Sequence, residues 1–63
     1  MEIKKYRVVS YSYQGDAETV AEFGDRDKAI EIAQHVYNTR HESVSVIDLE
    51  EKEIIFSRDV DWI

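Results

Sequence analysis

The sequence predicts an α+β fold of the ββαββ type, in which one helix packs on one face of a four-stranded antiparallel sheet. The first observation is a single helical pattern in the middle of the chain, from Asp25 to about Arg40. The second is that two segments rich in β-branched and aromatic residues precede this pattern and two follow it. The chain has 63 residues, so we expect a single domain over residues 1–63.

The helical pattern has one apolar stripe. Its members recur at the spacing of one helix face: Ala29, Ile30, Ala33, Val36 and Tyr37. One stripe indicates one buried face. Asp25 is the expected N-cap, because its carboxylate can accept hydrogen bonds from the free amides of the first turn. At the other end, Asn38 or His41 is expected to adopt the left-handed conformation that ends many helices.

The strand-like segments lie in pairs on both sides of the helix. They run from Tyr6 to Tyr13, from Ala17 to Phe23, from Val44 to Leu49 and from Glu53 to Ser57. Gly15 tolerates a positive φ, so it predicts a hairpin between the first two segments. A polar turn, Glu50-Glu51-Lys52, connects the last two. If every neighbouring pair is antiparallel and the connections stay short, the strand order is 2-1-3-4.

The first two strands differ in their patterns. Strand 1 has apolar residues on both phases, with Tyr6 and Val8 on one and Val9, Tyr11 and Tyr13 on the other. A strand of this kind is either central or bulged. Strand 2 alternates like an edge strand, and its residues divide into two sets: Glu18, Val20 and Glu22 on one side, and Ala17, Thr19, Ala21 and Phe23 on the other.

Composition excludes several classes of protein. The chain has eight basic and 14 acidic residues, so its net charge is −6. Residues 1–13 carry a net positive charge, and the remaining residues carry a net negative charge. An acidic body repels phosphate groups, so we expect neither nucleic-acid nor membrane binding. The chain has no cysteine, and Met1 leads into the charged sequence Glu2-Ile3-Lys4-Lys5 instead of an apolar leader. These features favour a cytoplasmic location.

No arrangement of side chains predicts catalysis, so we expect no enzyme, no cofactor and no metal. His35 and His41 are six residues apart, about 120° around a helix, and cannot share a metal ion. We interpret both as exposed. The acidic cluster has neither the glycine nor the ligand spacing of a calcium loop and is interpreted as a solvated turn: Asp48, Glu50, Glu51 and Glu53. The serines are interpreted as solvent-facing strand positions: Ser10, Ser12, Ser43, Ser45 and Ser57.

The aromatic residues are the best functional candidates, because a sheet covered by one helix leaves its other face uncovered. The residues we expect to contact a partner are Tyr6, Val8, Tyr11, Tyr13 and Trp62. The partner is expected to be a second copy of the chain or another protein. The predicted function is therefore a small acidic, non-catalytic interaction module or homodimer. The alternative is a phage- or plasmid-encoded acidic inhibitor that mimics nucleic acid on a host enzyme.

Overall fold

The computed structural model describes residues 4–60 and shows an α+β fold. Its elements, in chain order, are β1 (Tyr6–Tyr11), β2 (Ala17–Phe23), α1 (Arg26–Arg40), β3 (Ser43–Asp48) and β4 (Glu53–Arg58). The four strands form one antiparallel sheet in the order β2-β1-β3-β4, and the helix packs on one face of it over β1 and β3. The predicted element order, strand order and helix placement are confirmed.

The helix ends where its capping residues predict. Asp25 is the N-cap, and its Oδ1 accepts hydrogen bonds from the amides of Asp27 (2.9 Å) and Lys28 (3.5 Å). His41 takes the left-handed conformation, with φ 56°, and its amide donates to the carbonyl of Tyr37. Asn38, the other residue considered for that conformation, lies within the helix.

Replacing the N-cap is expected to destabilise the protein measurably. Asp25→Ala removes the acceptor of the two first-turn amides and should lower the free energy of unfolding by about 0.5–2 kcal/mol. Asp16→Ala is the matched control, because Asp16 is exposed in the first hairpin and uses its backbone in the turn. Urea unfolding of the two variants compares them directly. An equal or larger loss at Asp16 would contradict the assigned helix start.

Both hairpin turns use residues with positive φ. Strand β1 ends at Tyr11, two residues before the predicted end, because Ser12 begins the turn. Its carbonyl accepts from the Gly15 amide at 2.8 Å, and its Oγ accepts from the Asp16 amide at 3.2 Å. Gly15 has φ 88°, which a residue without Cβ adopts at no steric cost. In the second hairpin Lys52 takes this role, with φ 56°.

The core lies between the helix and the two central strands. Among residues 4–60, its buried members are all valine or alanine: Val8, Ala29, Ala33, Val36, Val44 and Val46. Larger side chains pack around this centre, among them Tyr6, Phe23 and Phe56. The Arg58 guanidinium lies 4.4 Å from the centre of the Tyr37 ring and so joins β4 to the helix.

Each edge strand contains one bulge. The pairing shifts at Val20 in β2, between the pairs Val8–Ala21 and Val9–Thr19, and at Ile55 in β4. Both bulge residues pack against the core on the helix side. The strict alternation predicted for strand 2 is therefore wrong. Val20 joins Phe23 in packing against the core, whereas Thr19 pairs with Val9 on the other face, because the extra residue reverses the phase of the strand.

Candidate functional site

The sheet face opposite the helix is the candidate functional site, and we call it the open face. Strand alternation and register place its side chains in three rows that run across the strands. The outer row is Ala17, Tyr11 and Ser43; the middle row is Thr19, Val9, Ser45 and Ser57; the inner row is Glu22, Arg7, Ile47 and Ile54. No described helix or strand packs over these rows, but the segment after β4 reaches the outer row, where the Val60 amide donates to Ser43 Oγ at 3.0 Å.

The middle row is buried on the two central strands. Val9 and Ser45, on the two central strands, retain only 7% and 6% of their accessible surface. Both lie between a central neighbour on each side, Tyr11 and Arg7 along β1 and Ser43 and Ile47 along β3. The centre of the open face is therefore largely shielded from water, with Tyr11 and Ile47 as its larger neighbours on β1 and β3.

The inner row combines a charged half with an apolar half. Arg7 Nε donates to Glu22 Oε2 at 2.7 Å, a cross-strand ion pair with both side chains partly exposed. Ile47 and Ile54 lie beside this pair on β3 and β4, and Ile54 is 59% exposed. Ile54 is the one exposed large aliphatic side chain among residues 4–60, and it adjoins the partly exposed Ile47 on this face.

The structure divides the five residues predicted to contact a partner. Val8 is fully buried and Tyr6 packs against the core, so both belong to the helix side and neither lies on the open face. Tyr11 is in the outer row of the open face. Tyr13 is 75% exposed just beyond β1. Trp62 lies outside the described residues.

Sequence reasoning missed Ile47 and Ile54 as members of the open face. The signal was hidden, because Ile54, Ile55 and Phe56 form an unbroken apolar run that gives no face assignment. The bulge at Ile55 separates the run, sending Ile55 and Phe56 to the core and leaving Ile54 on the open face. A bulge depends on the pairing of two strands, which one strand's pattern does not reveal.

The edges of the sheet are poorly suited to adding a further strand. Both β2 and β4 are edge strands, and each is interrupted by its bulge near the middle. Bulges on edge strands disturb the row of free amide and carbonyl groups that another strand would pair with. The open face, and not an edge, is therefore the better contact surface.

The titratable groups outside the open face mainly serve local structure. Asp48 Oδ1 accepts from the amides of Glu50 (2.9 Å) and Glu51 (3.1 Å), which holds the turn after β3. Lys5 Nζ lies 3.4 Å from Glu50 Oε2, and this hydrogen-bonded partner raises the pKa of Lys5. Among residues 4–60, no group of three potential metal-ligating side chains converges.

The histidines are exposed to solvent as the sequence predicts, but two of the serines are not. His35 and His41 are both exposed, as predicted. The interpretation of the serines as solvent-facing is wrong for Ser10, which is 1% exposed beneath the helix, and for Ser45 in the middle row. Both sit on central strands, where neighbouring strands cover a small side chain.

Glu42 follows the helix and has one carboxylate oxygen shielded from solvent without a hydrogen-bond donor.

The outer surface of the helix carries a shallow concavity. Its lining comes entirely from the helix: Glu31, Ile32, Gln34, His35 and Asn38. These residues lie within two turns of one element, so the concavity is a gap between neighbouring side chains.

The helix that the structure describes lacks the length and apolar character needed to cross a membrane.

Comparison with known proteins adds no relative. The chain matches no model of a protein family, no curated protein and no solved structure. The functional argument therefore depends on the geometry of the open face.

Proposed function

We propose that the chain is a non-catalytic interaction module that acts as a homodimer, in which the open faces of two copies pack against each other. The observation that carries this proposal is the apolar half of the open face, where Ile47 and the exposed Ile54 adjoin the middle row. Burying such a surface removes apolar area from water at about 25 cal/mol per Å². A second copy supplies a surface of the same shape without requiring another gene product.

The size of the face limits how much surface two copies can bury. Strands of six residues are about 20 Å long and four strands span about 19 Å, so one face offers roughly 380 Å² of sheet. Two faces together provide roughly 800 Å² of projected area, which is at the weak end for specific interfaces. The net charge of −6 opposes association, but salt near 0.15 M screens charges beyond about 8 Å.

The acidic-inhibitor alternative receives less support from the geometry. A nucleic-acid mimic needs rows of free carboxylates on one surface. Here Glu22 and Glu50 are paired with basic side chains, and Asp25 and Asp48 cap backbone amides. These carboxylates also belong to different parts of the fold, so they present no continuous acidic row.

Sedimentation equilibrium at 0.15 M salt tests the proposed dimer. The average mass should rise from 7.4 kDa toward twice that value as the concentration increases from about 5 to 500 μM. Ile47→Lys should shift the protein to the monomer, because it places a charge in the apolar half of the open face.

The matched control places the same charge elsewhere. Gln34→Lys also adds one positive charge, but on the exposed outer surface of the helix, and should leave the association unchanged. A parent protein that stays at 7.4 kDa up to 500 μM overturns the proposal. Equal weakening by both variants would also overturn it, since a nonspecific charge effect would then explain the association.

A further inference from the structure

Two residues at the centre of the open face are buried although no described helix or strand covers them. Val9 and Ser45 keep 7% and 6% of their accessible surface, whereas Thr19 and Ser57, at the two ends of the same row, are exposed. Side chains stand roughly perpendicular to a sheet, so neighbours on the same face shield the sides of a valine but not its tip. The burial of this pair therefore indicates a cover over the middle of the face.

The segment after β4 approaches the face from the edge of the sheet. The Val60 amide donates to Ser43 Oγ at 3.0 Å, and Ser43 belongs to the outer row. Amides within a sheet bond to carbonyls of the neighbouring strand, whereas a side chain of the outer row stands above the sheet. The bond to Ser43 therefore lifts Val60 to the open side. Because β3 lies between β4 and β1, the chain at this point is already crossing the sheet toward β1.

We infer that residues 61–63 continue across the open face and place the Trp62 ring over Val9, with Tyr11 beside it. Two residues of extended chain span about 7 Å, and the spacing from β3 to β1 is about 4.8 Å. Trp62 can therefore reach β1, where Tyr11 is the cross-strand neighbour of Ser43. This inference goes beyond the proposed homodimer and does not depend on it.

The sequence of the segment fits such a cover. Acidic and apolar residues alternate in Asp59-Val60-Asp61-Trp62. In extended chain every second side chain points the same way, so Trp62 lies on the side of Val60, which is partly buried. Asp61 lies on the side of Asp59, which is exposed. A tryptophan side chain buries about 150–250 Å², which suits a cover over two adjacent small side chains.

The cover leaves the apolar half of the inner row free for a second copy. Ile47 lies beyond Ser45 on β3, on the side away from Ser43, and Ile54 beside it is 59% exposed. A dimer contact would therefore be concentrated at these two isoleucines. This consequence rests on the proposed function, whereas the cover itself does not.

Trp62 is the one tryptophan of the chain, so its fluorescence reports on this segment alone. At low micromolar concentration, its emission should lie at shorter wavelength in the native protein than in urea, and acrylamide should quench it weakly. The matched control moves the ring to the exposed surface of the helix, as Gln34→Trp in a Trp62→Phe background. Its emission should hardly shift on unfolding. Equal quenching of the two tryptophans would overturn the cover.

Nuclear magnetic resonance identifies the surface that the ring contacts. Nuclear Overhauser effects should join the Trp62 ring to the methyl groups of Val9, and Trp62→Ser should shift the amide signals of Val9 and Ser45. Asp61→Ser is the matched control, because its side chain points to water, and it should leave these two signals in place. Contacts of the ring with another surface would contradict the inference.

A mixture of isotopically labelled and unlabelled protein separates contacts within one copy from contacts between copies. The Trp62–Val9 contacts should be present within one copy, and they should persist in Ile47→Lys, the variant expected to be monomeric. Contacts that appear only between copies would overturn the inference and assign the segment to the partner's face. A parent protein that stays monomeric but keeps these contacts overturns the homodimer and leaves the cover standing.

Discussion

Val46→Lys is expected to unfold the protein at room temperature. Val46 is fully buried in β3 beneath the helix, where it pairs with Val8 and Phe56. A lysine there loses the apolar contact and leaves an ammonium group without a partner, at a cost of about 3–5 kcal/mol. A domain of 63 residues without disulfides has a margin of only a few kcal/mol. Far-UV circular dichroism should show the loss of the sheet and the helix.

The neighbouring residue is the control for this substitution. Ile47→Lys places the same side chain one position along β3, on the open face, where the ammonium group can reach water. It should cost about 1 kcal/mol and leave a folded protein. Unfolding should be measured at low micromolar concentration, where association contributes least. A folded Val46→Lys, or unfolding of both variants, would contradict the assignment of the two faces of β3.

The helix and the sheet topology were predictable because they depend on local patterns. Asp25 caps the helix through its own side chain, and the apolar stripe has a spacing that only a helix collects on one face. The strand order followed from short connections and from the apolar character of both phases of strand 1, which is typical of a central strand. Each of these inferences uses residues close together in the sequence.

The composition of the open face was less predictable, because it depends on pairing between strands. A bulge changes the face of every residue beyond it, as Thr19 shows in β2 and Ile54 in β4. The same limitation applies to Val8, which was predicted to contact a partner. Strand alternation groups Val8 with Tyr6 but does not show whether this group faces the helix. That depends on Val8 joining Ala29 and Ala33 in the core, and these residues lie far from it in the sequence.

Ala33→Phe is expected to lower the free energy of unfolding by about 1–3 kcal/mol and the melting temperature by at least about 5 °C. Ala33 lies near the middle of the helix, is fully buried and belongs to the cluster of valines and alanines at the centre of the core. The predicted position of Ala33 against the sheet is confirmed. A phenylalanine needs space that this position does not provide, so the helix must move away from the strands or the ring must leave its preferred rotamer.

The small size of the core explains why this one position matters. Ala29 and Ala33 are one turn apart, and both are fully buried, so the helix approaches the sheet closely along this side. Raising the helix to fit a ring at Ala33 would also separate Ala29 and Val36 from the strands and weaken the rest of the cluster. Gln34→Phe, at the adjacent exposed position, adds the same side chain without this effect and should melt within a few degrees of the parent. If Ala33→Phe melted with it, the helix would face the sheet with another side.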